Sequence, residues 1–199
     1  MEKKIKKEWL DNIYNYINLI TDVSEEAWND IISKSKYLDI NKNDFFIQAG
    51  MIPDKIAFIL SGLFRVFYIT EDGNEKTLVF REEGRILSAF SAYVANESSW
   101  YSIQALENSI LSYISFNDYK EIIENYQCWQ IIKSKYLEML FIEKEKRESE
   151  LLSDDAYTRY KKFKLKYPNL EDRVNQYHIA SYLGITPVAL SRIKNKNKY

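Results

Sequence analysis

The stretch Gln176–Asn195, QYHIASYLGITPVALSRIKN, decides the reading of the chain. Ile179, Ala180 and Leu183 stand at i, i+1 and i+4 and so share one helical face. Gly184 follows, where a tight turn needs a residue that accepts positive φ. Ile185 plugs the corner and Thr186 is placed to cap the next helix. Pro187 takes the first helical position, where its missing N–H costs nothing. Leu190 and Ile193 bury the second helix, and the small Ala180 lets the two helices cross closely. The pattern is a helix-turn-helix, whose second helix can lie in a DNA major groove. An αα-hairpin that only packs a core shares the spacing. The polar outer face of the second helix and the basic residues beyond it speak against that alternative.

Charge supports the same reading through its distribution. The 199 residues carry 28 Lys/Arg against 29 Asp/Glu, so bulk charge advertises no nucleic-acid partner. From Ala156 onward, however, ten basic residues are opposed only by Glu171 and Asp172. That segment stands near +8 and the residues before it near −9. A basic module attached to an acidic one is a local footprint for phosphate, although a solvated lysine-rich surface would look alike.

Cys128 is the single cysteine and His178 the single histidine. An intrachain disulfide, a multi-cysteine iron–sulfur cluster and a zinc finger are therefore excluded, and a reducing compartment fits. No Ser/His/Asp or Cys/His set can be built without these singletons, so neither an enzyme nor a metal site is expected. Cys128 reads as a small buried apolar residue. His178 falls on the outer side of the motif's first helix, a solvated or phosphate-facing place. The start, MEKKIKKEWL, is charged and lacks a cleavable apolar core. No apolar run reaches about 18 residues. A cytoplasmic protein with no membrane partner is expected.

Lys3–Ile20 reads as an amphipathic helix with Ile5, Trp9, Ile13, Ile17 and Ile20 on one face. Ser24 caps a second helix that opens on Glu25 and Glu26 and ends near Lys36. The period then changes to two. Strands are expected near Tyr37–Ile40, Asp44–Gln48, Lys55–Ser61, Gly62–Thr70, Glu75–Arg81, Arg85–Ser88, Ser99–Ala105 and Ser109–Ser115. Glu71–Asn74 contains the Asp-Gly of a hairpin turn. Gly50, Gly62, Gly73 and Gly84 all punctuate this all-β unit, which suggests a sandwich or jelly roll. A short helix follows near Asn117–Asn125, then a long one over Cys128–Leu152 without Gly or Pro. Trp129, Ile132, Tyr136, Leu140 and Glu143 mark a seam, and Met139, Phe141 and Ile142 widen it into a stripe that could meet the β unit on one side and a second copy on the other. Ser153–Asp155 breaks the pattern as a hinge, with Asp155 capping Ala156–Lys166.

This layout resembles the Crp/Fnr family of bacterial transcription regulators over nearly the whole chain. Phe58–Gly62, Asp72–Lys76 and Glu83–Gly84 resemble a cyclic-nucleotide-binding-type jelly roll, Ser153–Phe163 the family's hinge, and Val174–Lys194 its helix-turn-helix. The resemblance implies an α+β fold: an N-terminal β jelly roll with flanking helices over 1–127, a dimerisation helix over 128–152, and a helix-turn-helix domain over 153–199. It implies a homodimer on a near-palindromic operator in double-stranded DNA, with RNA polymerase as a partner. Expected DNA contacts are Gln176, Tyr177, His178, Thr186, Val188, Ser191, Arg192, Lys194, Asn195 and Lys196. Arg192 is the best candidate for bidentate contact to guanine. Trp129, Ile132, Tyr136, Met139 and Leu140 are the expected dimer contacts.

Two departures qualify the resemblance. Cyclic-AMP-binding members carry a Gly-Glu pair and, about ten residues on, an Arg-Ser or Arg-Thr pair that together hold ribose and phosphate. Here Ser88–Ala89 and Ser99–Trp100 occupy those places, so the phosphate lacks its cation and cyclic AMP is not expected as a cofactor in that mode. The expected effector pocket is lined by Arg65, Leu87, Ser88, Ala89, Phe90, Ser99, Trp100 and Tyr101, with the effector unknown or the pocket filled by side chains. Second, Tyr199 follows the recognition helix closely, so most of the family's β-hairpin wing is absent from the sequence. A small-molecule sensor whose helical tail binds a protein partner is the alternative that this leaves.

Overall fold

The protein is described from a computed structural model covering residues 9–11, 13–15 and 17–196. Within the helix expected over Lys3–Ile20, residues 9–11, 13–15 and 17–18 are helical; its earlier part lies outside the described residues. Helix α1 (Glu25–Lys34) starts where Ser24 accepts a hydrogen bond from the Ala27 N–H. Strands β1 (Lys36–Ile40), β2 (Phe45–Ile47), β3 (Lys55–Ser61), β4 (Phe64–Ile69), β5 (Glu75–Arg81) and β6 (Ile86–Leu87) follow. Helix α2 (Phe90–Ala95) precedes β7 (Ser102–Ala105) and β8 (Ser109–Ser115). Four helices complete the order before the last pair's turn is reached: α3 (Phe116–Asn125), α4 (Gln127–Ser153), α5 (Ala156–Lys166) and, after a 3-10 turn at Leu170–Asp172, α6 (Gln176–Leu183). Helix α7 (Pro187–Lys196) closes the described chain.

The strands form two antiparallel four-stranded sheets, ordered β1-β8-β3-β6 and β2-β7-β4-β5. Their facing side chains, among them Ile59, Phe64, Leu87, Ile103 and Leu111, make one core, which is the jelly roll the alternating pattern predicts. The β4–β5 pairing shifts register between Val66 and Phe67, where Val66 faces Val79 but Phe67 faces Thr77. The extra residue turns the strand, so that Glu75 and Thr77 meet one neighbour while Leu78 and Val79 pack into the core between the sheets. Gly62 is fixed by its surroundings as well as by its φ of 116°: a Cβ there would fall 2.0 Å from Ser109 Oγ.

The long helix packs part of its apolar stripe against its own chain. Trp129 is buried and its indole donates to the Ala27 carbonyl at 3.3 Å. Ile132 packs in the same cluster with α1 and α3. Tyr136 reaches the Ile86 carbonyl, and Met139 and Leu140 line the space under the helix. Of the five, Trp129 is buried within the chain, and the other four are half-buried beside the β unit and the N-terminal helices. The exposed apolar residues of α4 are Ile131, Phe141, Ile142, Leu151 and Leu152, of which Phe141 also lines the space under the helix.

Candidate nucleic-acid interface and effector cavity

Helices α6 and α7 form the helix-turn-helix from the residues that the spacing selects. Ile179, Ala180, Leu183 and Leu190 are buried together, with Ile185 and Ile193 packed against them. Gly184 ends α6 in the left-handed region at φ 68° and ψ 33°. Its N–H returns to the Ser181 carbonyl and that of Ile185 to Ala180. Arg159 Nε donates to the Leu183 carbonyl at 3.0 Å, and Arg147 donates to that of Tyr182, so two cations satisfy the C-terminal carbonyls of α6. Thr186 Oγ1 accepts from the Ala189 N–H at 3.2 Å and caps α7 as its position predicts.

The core of this module is shared with the β unit. Leu63, Phe80 and Leu106 join Tyr160, Phe163, Tyr167, Leu170, Tyr182 and the motif's own apolar residues in one cluster. The Phe80 ring lies 5.8 Å from that of Tyr167 and 5.5 Å from that of Tyr182. Polar contacts mark the seam. Ser181 Oγ accepts from the Thr77 N–H and donates to the Glu75 carbonyl, both at 2.9 Å. Arg173 bridges Glu83 and Glu107 at 2.8 and 2.5 Å, and its guanidinium pKa is raised by those partners. Helix α6 is thus docked on β5, and α7 is the outer helix.

On α7, Val188, Ser191, Arg192 and Asn195 are exposed at the i, i+3, i+4 and i+7 positions of one face, opposite buried Leu190. Thr186 is exposed at its start, and Gln176 and Tyr177 are exposed at the start of α6. Arg192 makes no ion pair among the described residues. Three expected contacts stand differently. His178 is half-buried, with Nδ1 3.0 Å from Arg65 Nη1, because docking on the β unit turns it away from the outer face. Burial, and secondarily the Arg65 charge, push its pKa down to about 4. Lys194 is engaged by Glu171 at 3.0 Å. The side chain of Lys196 lies outside the described residues.

The expected effector pocket is corrected in part. A cavity of about 540 Å³ opens between the sheets' inner faces, α4 and the N-terminal helices. Leu87, Ser88, Phe90, Trp100 and Tyr101 line it; Arg65, Ala89 and Ser99 do not. Arg65 points to the opposite face of β4, where its Nη1 meets Glu75 at 2.6 Å, its Nε and Nη2 meet Gln104 Oε1, and its guanidinium lies over the Phe67 ring. The period-two rule makes this unavoidable, since its neighbour Val66 lines the cavity. Ala89 is buried in the sheet core, and Ser99 Oγ donates to the Tyr101 carbonyl at 2.7 Å. Burial raises the phenol pKa values of Tyr101 and Tyr136. Among the described residues no cluster of potential metal ligands is present, and no helix is long and apolar enough to cross a membrane.

Residues 38–126 match the cyclic nucleotide-binding domain family. Three solved structures are similar over most of their length. A transcriptional regulator of the Crp/Fnr family from Eubacterium rectale is 16% identical, with a TM-score of 0.73, covering 92% of this chain and 88% of that one. The c-di-GMP-responsive global regulator CLP of Xanthomonas campestris is 12% identical, with a TM-score of 0.70 and coverage of 88% and 92%. CooA of Carboxydothermus hydrogenoformans is 21% identical, with a TM-score of 0.69 and coverage of 90% and 86%. No functionally curated protein matches the sequence. Jelly roll, long helix and terminal helix pair therefore occur here in the arrangement of the Crp/Fnr transcriptional regulators, and the chain carries that family's cyclic nucleotide-binding domain fold.

Proposed function

We propose that this protein is a transcription regulator that binds double-stranded DNA as a homodimer, with α7 entering the major groove. The observation that carries the reading is the outer face of α7. Arg192 is exposed and without an ion pair among the described residues, between Val188, Ser191 and Asn195 on a helix whose other face is buried. A guanidinium so placed can make a bidentate contact to guanine, while Thr186 and Ser191 bond to bases or phosphates and Val188 meets a thymine methyl. Gln176 and Tyr177 meet the backbone from the start of α6.

The exposed Ile131, Phe141, Ile142 and Leu152 of α4, with the half-buried Ile132, Tyr136, Met139 and Leu140 beside them, are the surface that would meet a second copy. Such a dimer presents two α7 helices to half-sites on one duplex, and RNA polymerase is the further partner that the resemblance to Crp/Fnr regulators implies. The reading treats residues 1–127 as sensor, 128–152 as dimerisation helix and 153–199 as DNA-binding domain, acting in the cytoplasm without enzymatic activity. Cyclic AMP is not the effector in the family's usual mode, since Ser88–Ala89 and Ser99–Trp100 bring no cation to the phosphate's place. A footprint on the DNA upstream of the protein's own coding sequence, at stated salt, tests the proposal; sequence-independent binding alone refutes it. Calorimetry with cyclic AMP tests the second point, and micromolar affinity overturns it.

A further inference from the structure

The cavity under α4 has a one-sided electrostatic character. Its wall includes Arg81, Arg85, Lys133, Lys135 and Lys144, and no aspartate or glutamate among the described residues. Arg81 is neutralised by Glu143 at 3.1 Å and Lys135 by Glu138 at 3.1 Å. Arg85 makes no ion pair among the described residues, although its charge reaches Glu82 and Glu143; its Nη1 lies 4.0 Å from the Met139 sulfur, at the mouth between the β5–β6 turn and α4. Away from these cations the wall is almost wholly apolar. It runs from Tyr68 and Tyr101 past Tyr136 and Leu140 to Ile31 of α1 and Ile13 of the N-terminal helix. Ser88 Oγ lines it as a buried hydroxyl without a hydrogen-bond partner among the described residues. A volume of about 540 Å³ suits a small organic molecule.

We propose that this cavity binds an amphipathic organic acid, an aliphatic chain lying between the sheet and α4 with its carboxylate at Arg85. The chain takes the long apolar wall, which spans four separate elements and which a compact planar ligand would fill at one end only. The carboxylate supplies the anion selected by a guanidinium with no ion pair, on a wall to which the described residues bring five cations and no carboxylate. A cyclic nucleotide is the wrong shape for that wall, and α2 itself brings no cation to it. The inference does not depend on α7 binding DNA, so the two can fail separately.

The test uses the full chain and titrates dodecanoate, below its micellar concentration, against 1-dodecanol and cyclic AMP. Binding is read by calorimetry and by the fluorescence of Trp28, Trp100 and Trp129, which line the cavity. Dodecanoate is expected to bind with one site per chain and about tenfold more tightly than dodecanol, the size of a charge-assisted contact at a partly exposed site. Arg85→Gln, an exposed position whose change leaves the fold intact, should bring acid and alcohol within about twofold. Leu140→Trp should weaken both ligands by filling the cavity. No saturable binding, equal affinity for acid and alcohol, an unchanged preference in Arg85→Gln, or displacement of dodecanoate by cyclic AMP would each overturn the proposal. Dodecanoate that acts only by dissociating the dimer would do so too, since it would mark the cavity as a contact between copies.

Discussion

Arg65 Nη1 lies 3.0 Å from Nδ1 of His178, across the seam between the β unit and the first helix of the motif. A guanidinium can only donate, so Nδ1 must be the unprotonated acceptor, and the imidazole is held neutral. Glu75, 2.6 Å from the same guanidinium, only partly offsets the repulsion that a second positive charge would meet.

The burial of His178, with the Arg65 charge beside it, gives the fold a pH dependence with a definite sign. The folded pKa of His178 is about 4, below the unfolded value of about 6.5. Between those values the unfolded chain binds the proton and the folded chain does not. Stability is therefore complete above pH 6.5 and is lost as pH falls from there toward 4. The melting temperature should fall between pH 7 and pH 5 in the native chain and fall less in His178→Gln.

Phe80 belongs to a β-strand but packs among three aromatic rings of the helical module. Phe80→Ala should cost about 3–5 kcal/mol in denaturant unfolding, the usual range for deleting a fully buried ring. Because the ring joins two parts of the chain, the same variant should expose the seam to proteolysis near Tyr167 before global unfolding.

Gly184→Ala should destabilise by about 1–2 kcal/mol, and the cause is backbone alone. A Cβ at this position would meet only Leu151 Cδ2 at 3.7 Å, which is ordinary contact, whereas φ 68° is poorly tolerated by alanine. Gly184→Asn should recover part of the loss, since asparagine enters the left-handed region more readily. Thermal melts of the two variants check the order.

Arg192→Ala should lose about 1–3 kcal/mol of specific DNA affinity and leave the melting temperature unchanged. Lys194→Ala should change DNA affinity little, because its ammonium is held by Glu171. Salt-dependent binding isotherms with specific and scrambled duplexes separate the two.

Phe141→Glu should yield a folded monomer by sedimentation, since the ring is 62% exposed on α4. Trp129→Ala should instead lower stability by about 3–5 kcal/mol, as its indole is buried against α1.

Much of the fold can be read from local pattern. Strands β3, β5 and β8 and helix α5 fall on the residues that their periodicity and caps select, as does the turn at Gly184. What pattern could not supply is the identity of the neighbour. The apolar residues of α4 occupy more than one face, so spacing shows a wide stripe without saying which part meets the β unit. Arg65 sits in an alternating strand, and only the docking of α6 reveals which side of that strand is covered. Helix α2 escaped for a local reason: Ala89 offers no side-chain cap, and the segment is held by burying Ala92.

Strand β5 has two customers, and they cannot be served separately. Toward the cavity it presents Val79 and Arg81; on its reverse, Glu75, Thr77 and Phe80 receive the helical module. One polypeptide thickness separates whatever fills the interior from the base of the helix pair. A substitution that reshapes either side therefore shifts the footing of the other, and the strand's sequence can drift only where both tenants accept the change.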